Sequence, residues 1–194
     1  MPRDLSNCTD EELGLAAPDD VEAFVELLRR YQSPLITFLR RFTNRLADAE
    51  DLLQETVLRL YASRSQYLAR WRYRTWAFTI ARRAAIDLHR QHCRERNALD
   101  EAQRSARSAS EGTAETALNA SDVFEVARRV LTREQSDALW LYHAEQMPPR
   151  EIARILDRSW VSVKTMLHRA RRQVRSEMET RSDVSLVSLR GDLR

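Results

Sequence analysis

Residues Pro149 to Arg175, PREIARILDRSWVSVKTMLHRARRQVR, read as two short helices meeting at a tight corner. Pro149 suits the first position of a helix, where the N–H it lacks would have no intrahelical partner. Ile152, Ala153 and Leu156 give that helix an apolar face, Asp157-Arg158-Ser159 makes the corner, and Ser159 can cap the next helix. In that second helix Val163, Leu167, Ala170 and Val174 recur at helical spacing as one buried stripe. The opposite face carries Thr165, His168, Arg169 and Arg172, with Ser162, Lys164 and Arg171 beside it, and no acid occurs between Asp157 and Glu177. A helix apolar on one side and basic on the other, entered through a corner, matches the recognition element of a helix-turn-helix. Side chains near its N-terminus reach base edges, and the later arginines meet phosphates.

Working outward, the rest of the chain is predicted to be helical too. Of the 194 residues only three are glycine, Gly14, Gly112 and Gly191, and none falls inside an expected helix. Abundant Ala, Leu, Arg and Glu with little β-branched alternation predict an all-α protein of two small helical domains. Pro18-Asp19-Asp20 opens the first ordered segment after a flexible start at 1–18. Val21, Phe24, Val25, Leu28 and Tyr31 set a helical stripe that Leu35, Phe38, Leu39 and Phe42 continue, with a kink or restart expected at Ser33-Pro34. Further helices are predicted from Asp48 to Ala62 and from Thr75 to Arg96, closing a first domain over 19–96.

From Asn97 to Ala120 the apolar pattern stops, and the small polar run RSARSASEGTAET predicts a flexible linker. A second domain follows over 121–178. Ser121-Asp122 caps a helix with Val123, Val126, Ala127, Val130 and Leu131, and Thr132 with Gln135 forms a capping box for the next. Residues 179–194 are expected to be a tail.

Charge is distributed unevenly. The net formal charge is only +3, yet residues 19–55 hold eight acids against five arginines and residues 64–96 hold nine arginines against two acids. Opposed patches suggest two partners, one of them polyanionic. In the basic segment Tyr67, Trp71, Tyr73, Trp76 and Phe78 alternate with arginines. Unpaired bases stack on aromatic rings while arginines hold the backbone, so this mixture suits single-stranded or melting DNA.

Other chemistries find little support. His89, His92 and Cys93 do not share one helical face, and no second ligand pair follows, so no metal or other cofactor is expected. Two cysteines fit a reducing compartment without disulfides. No apolar run approaches the ~20 residues that span a bilayer, so a soluble, cytoplasmic protein is expected.

Two motifs in order carry a family resemblance. Asp48-Ala-Glu-Asp-Leu-Leu-Gln-Glu55 resembles the region-two helix of extracytoplasmic-function sigma factors, small bacterial RNA polymerase initiation subunits. Thr75-Trp-Ala-Phe-Thr-Ile-Ala-Arg82 resembles their promoter-opening helix, and Glu151 to Leu156 with Val163 to Arg171 resembles their region four. The resemblance implies that Asp48, Glu50, Asp51, Leu52, Gln54 and Glu55 dock on the clamp helices of the polymerase largest subunit. It implies −10 element contacts by Arg72, Arg74, Trp76, Arg83 and Arg90. It assigns the −35 element to Ser162, Lys164, Thr165, His168, Arg169, Arg171 and Arg172. An anti-sigma factor is a further partner common in this family, and no small-molecule substrate or catalysis is expected. The chain departs from the family pattern at Arg83, at Met147-Pro148-Pro149, at Asp157 and Ser162, and at the bulky Trp160. Two rival readings are a dimeric helix-turn-helix regulator that does not bind polymerase and a metal-dependent nuclease using Asp48, Asp51 and Glu55. The first leaves the acidic and aromatic–arginine segments unexplained, and the second lacks a ligand set.

Overall fold

Leu13 and Gly14 are buried in a helix, α1 (Asp10–Ala16), within the stretch expected to be flexible. A local capping box starts it. Glu12 donates its backbone N–H to Thr9 Oγ1 at 3.2 Å, and Thr9 N–H returns to Glu12 Oε2 at 2.8 Å. Arg30 then pins the segment, donating to the carbonyls of Leu5, Ser6 and Cys8 and to the Asp10 carboxylate at 2.8 Å. Gly14 also corrects the expectation that no glycine lies within a helix. A Cβ there would sit 2.6 Å from the Tyr67 ring and 2.8 Å from that of Tyr73, so only glycine lets α1 approach so closely.

The computed structural model describes residues 5–43, 45–104 and 129–191, which are helical or in turns, with no strand among them. They fall into two compact units divided between Thr116 and Ala117.

In the N-terminal unit, α2 (Val21–Leu39) is capped by Asp20, whose Oδ1 accepts from the N–H groups of Glu22 and Ala23. The helix runs through Pro34 without the expected restart. Proline removes one donor, but Tyr31, Leu35, Phe38 and Leu39 on both sides of it are buried and hold the helix together. The buried stripe is rotated from the expected one: Ala23 and Leu27 face the core, while Val21 and Val25 are exposed. Next come α3 (Leu46–Ala62), a single 3-10 turn at Arg64–Gln66, and α4 (Tyr73–Arg104). Phe38 meets Phe42 and Phe78 edge-on, with ring centres 5.1 and 5.3 Å apart, at the centre where α2 and α4 pack. Helix α4 extends into the expected linker as far as Arg104, because Ala-Leu-Asp-Glu-Ala-Gln-Arg consists largely of helix formers and holds no breaker. The rest of that linker, and most of the helix expected from Ser121, lie outside the described residues.

The C-terminal unit holds α5 (Arg133–His143), α6 (Pro149–Leu156) and α7 (Trp160–Gly191). The Thr132–Gln135 capping box of α5 forms as expected. Helix α7 carries on through most of the expected tail, where no proline or glycine interrupts until Gly191. Its stripe of Val163, Leu167, Ala170 and Val174 is buried with Leu141, Ile152 and Leu156.

Candidate nucleic-acid interface

The corner between α6 and α7 is built by backbone geometry. Asp157 adopts the left-handed conformation, with φ 55° and ψ 52°. Its N–H donates to Arg154 O, and Arg158 N–H donates to Ala153 O at 2.8 Å, which together satisfy the carbonyls at the end of α6. Ser159 then caps α7, its Oγ accepting from Ser162 N–H at 3.2 Å. Arg158 reaches back to Glu134 at 2.9 Å and ties the corner to the start of α5. A surface ion pair of this kind adds under about 1 kcal/mol, so the backbone, not the ion pair, sets the angle.

On α7 the side chains of Ser162, Lys164, Thr165, His168, Arg169, Arg171 and Arg172 are all exposed. They do not all share one environment. Lys164 Nζ lies 4.6 Å from the centre of the Trp160 ring, and Arg171 lies 4.6 Å from that of Tyr142 on α5. Arg171 therefore sits at the α5 flank, apart from the face centred on Thr165, His168 and Arg172. Desolvation, and then the Arg171 charge, push the neighbouring His143 imidazole below its ordinary value.

The acidic helix α3 separates the expected residues by depth. Glu50, Asp51, Gln54 and Glu55 are exposed and Asp48 is half-buried, but Leu52 is only 2% exposed. Leu52 therefore belongs to the core beneath this face and not to a partner-facing surface, because it lies on the stripe with Ala49, Thr56 and Leu60. Sequence reasoning missed Leu58, which is 64% exposed and stands one turn after Gln54 on the same surface. The signal was present: Leu58 falls outside the spacing of the buried stripe. Glu55 is engaged already, accepting from Arg59 at 2.7 Å, and Arg59 also reaches Asp87 on α4 at 2.7 Å.

The aromatic–arginine segment divides similarly. Tyr67, Tyr73 and Phe78 are buried, so their rings are not surfaces for bases. Burial pushes the Tyr67 phenol up to about 12, and its hydroxyl donates to Trp71 O at 2.8 Å, fixing the loop before α4. Trp76 is half-buried, its ring packed on Tyr67 and Tyr73 at 5.4 and 5.3 Å. Leu68 and Trp71 are exposed in the loop. Arg72, Arg83 and Arg90 are exposed, and Arg74 is half-buried. On α4 the Cys93 thiol lies 3.8 Å from His89 Nε2. Among the described residues no group of three or more His, Cys, Asp or Glu is placed to hold a metal ion.

Comparison with known proteins places both units. Residues 27–95 match Sigma-70 region 2, and residues 125–174 match Sigma-70 region 4. The chain is 32% identical over 174 residues to the RNA polymerase sigma-E factor of Streptomyces avermitilis, covering 85% of this chain and 90% of that protein. It is 28% identical over 154 residues to the ECF RNA polymerase sigma factor SigM of Bacillus subtilis, covering 78% and 92%. A similar fold occurs in the sigma factor RpoE of Bartonella quintana, solved with the anti-sigma factor NepR. The TM-score is 0.61 at 20% identity, over 80% of this chain and 96% of that one.

Proposed function

Because the chain belongs to the extracytoplasmic-function RNA polymerase sigma factors, we propose that it gives core polymerase its promoter specificity through two separate modules. Residues 19–96 bind core and the −10 element, and residues 121–178 bind the −35 element. The observation that carries this reading is the pair of region matches in one chain, in order, each with a charged face suited to its partner.

On α3 the carboxylates Asp48, Glu50, Asp51 and Glu55, with Gln54 and the exposed Leu58, meet the basic clamp helices of the largest subunit. Arg72, Arg74, Arg83 and Arg90 hold the promoter backbone, while Trp71 and the open side of Trp76 offer stacking for unpaired −10 bases. On α7 Lys164, Thr165, His168 and Arg169 face the −35 major groove, and Arg172 and Arg175 contact phosphates. The protein is no enzyme: binding and base capture drive strand opening, and the polymerase performs the chemistry. It acts in the cytoplasm with the polymerase, and an anti-sigma factor is a partner consistent with the complex solved for its structural relative. No helix among the described residues is long and apolar enough to cross a membrane.

In vitro transcription tests the reading. Core polymerase plus this chain initiates at promoters selected from a randomised library, and core alone does not. A protein that binds duplex DNA as a dimer but leaves core inactive would instead be a stand-alone regulator.

A further inference from the structure

Four side chains on α7, Val161, Thr165, His168 and Arg172, follow one another at spacings of four, three and four residues. This is the spacing of the buried Val163–Leu167–Ala170–Val174 stripe, displaced by two residues and so turned to the opposite side of the helix. The first member of the row is an aliphatic side chain, and it is 57% exposed. The fold does not call for valine there. Its side chain is not in the core, and β-branching makes it a poorer helix former than alanine. Its position is in the first turn of the helix, directly after the Ser159 cap, where a recognition helix brings side chains to base edges.

We propose that Val161 is a specificity-determining residue that packs against the C5-methyl group of a thymine in the −35 element. In the major groove that methyl is the one apolar group presented by any base edge, and it is what an aliphatic side chain can read. The neighbours supply what Val161 lacks. Lys164 is held over the Trp160 ring at one flank, 4.6 Å from its centre, which makes Trp160 a positioning residue for that charge. Thr165 and Arg169 continue the exposed face on the other side. Arg172 and Arg175 hold the duplex through its phosphates, and Val161 adds a methyl-reading contact to the base-edge contacts of Lys164 and Arg169. This inference rests on the −35 reading of the C-terminal unit.

The test uses holoenzyme assembled from the full chain and core polymerase. The −35 element is first selected from a randomised library, and each thymine in it is then replaced singly by deoxyuridine, which lacks only the methyl. Wild-type holoenzyme should lose about fourfold in affinity at one thymine, the ratio that burying one methyl-sized group gives. Val161→Ser, which puts a hydrated hydroxyl in place of the aliphatic group, should bind thymine and deoxyuridine equally at that position, while circular dichroism shows its helices intact. A selected element without thymine on either strand, no wild-type loss at any thymine, or a Val161→Ser variant that still discriminates would overturn the inference. Arg169→Ala separates this from the broader reading. If it shifts the selected sequence while the thymine test fails, only the role of Val161 is lost. If no −35 sequence is enriched with either protein, both fall.

Discussion

Glu11 Oε1 accepts a hydrogen bond from the backbone N–H of Tyr73 at 3.2 Å, across 62 residues of chain. A carboxylate on α1 thus satisfies an orphan donor at the start of α4, whose own first turn holds no acid. The helix that enters the proposed −10 interface is capped by a segment outside the region 2 match.

Docking of α1 should therefore govern the stability of the N-terminal unit. Gly14→Ala forces a methyl into the Tyr67 and Tyr73 rings and should destabilise by about 1–3 kcal/mol, and Glu11→Ala by about 1 kcal/mol through loss of the cap. Urea denaturation followed by tryptophan fluorescence measures both. A Gly14→Ala protein as stable as wild type would show that α1 does not pack as described.

On α3 two leucines should behave oppositely. Leu52→Ala empties a core position and should cost about 2–5 kcal/mol of stability. Leu58→Ala should leave stability within about 0.5 kcal/mol, as for an exposed residue, yet weaken holoenzyme assembly. Reversing charge at Asp48 and Asp51 together should also weaken assembly without unfolding the protein. Co-purification with core polymerase alongside thermal denaturation distinguishes these effects.

Arg74 and Arg83 lie on α4 two residues before and seven residues after the half-buried Trp76. Replacing both with alanine should reduce promoter opening, read by permanganate reactivity of unpaired thymines, more than it reduces closed-complex formation. An equal loss in both steps would assign them to general backbone attraction.

The left-handed Asp157 is strained relative to glycine. Asp157→Gly should stabilise the C-terminal unit by up to about 1 kcal/mol, a gain limited by the greater freedom of glycine in the unfolded chain. Differential scanning calorimetry would register it as a higher transition temperature, and a lower one would contradict the corner geometry.

His143 predicts a pH dependence of definite sign. Its folded pKa lies below the ordinary value, so the unfolded chain binds a proton first as pH falls. Stability from this residue is present above about pH 6.5 and declines as pH drops from there toward the folded pKa. Thermal melts between pH 7.5 and 5.5 should show a smaller decrease for His143→Gln than for wild type.

How much of this was legible in advance depends on the range of the interaction. The Ser159 cap, the Thr132–Gln135 box, Pro149 at the first turn of α6 and the Val163–Val174 stripe each involve residues a few positions apart, so composition and spacing specify them. The two region matches likewise follow from linear motifs. Register between helices does not. The choice of Leu27 over Val25 as the buried side of α2, the burial of Leu52 beside an exposed Leu58, and the hold of Tyr142 on Arg171 all depend on which neighbouring surface each helix meets. A period of 3.6 residues permits adjacent stripes with almost equal apolar content, and only packing selects between them. The helix at Asp10–Ala16 is not legible in the sequence for a related reason: two short turns with little apolar content are too few to stand alone. Its order comes from Arg30, Tyr67 and Tyr73, partners that are remote in the chain and adjacent only once it has folded.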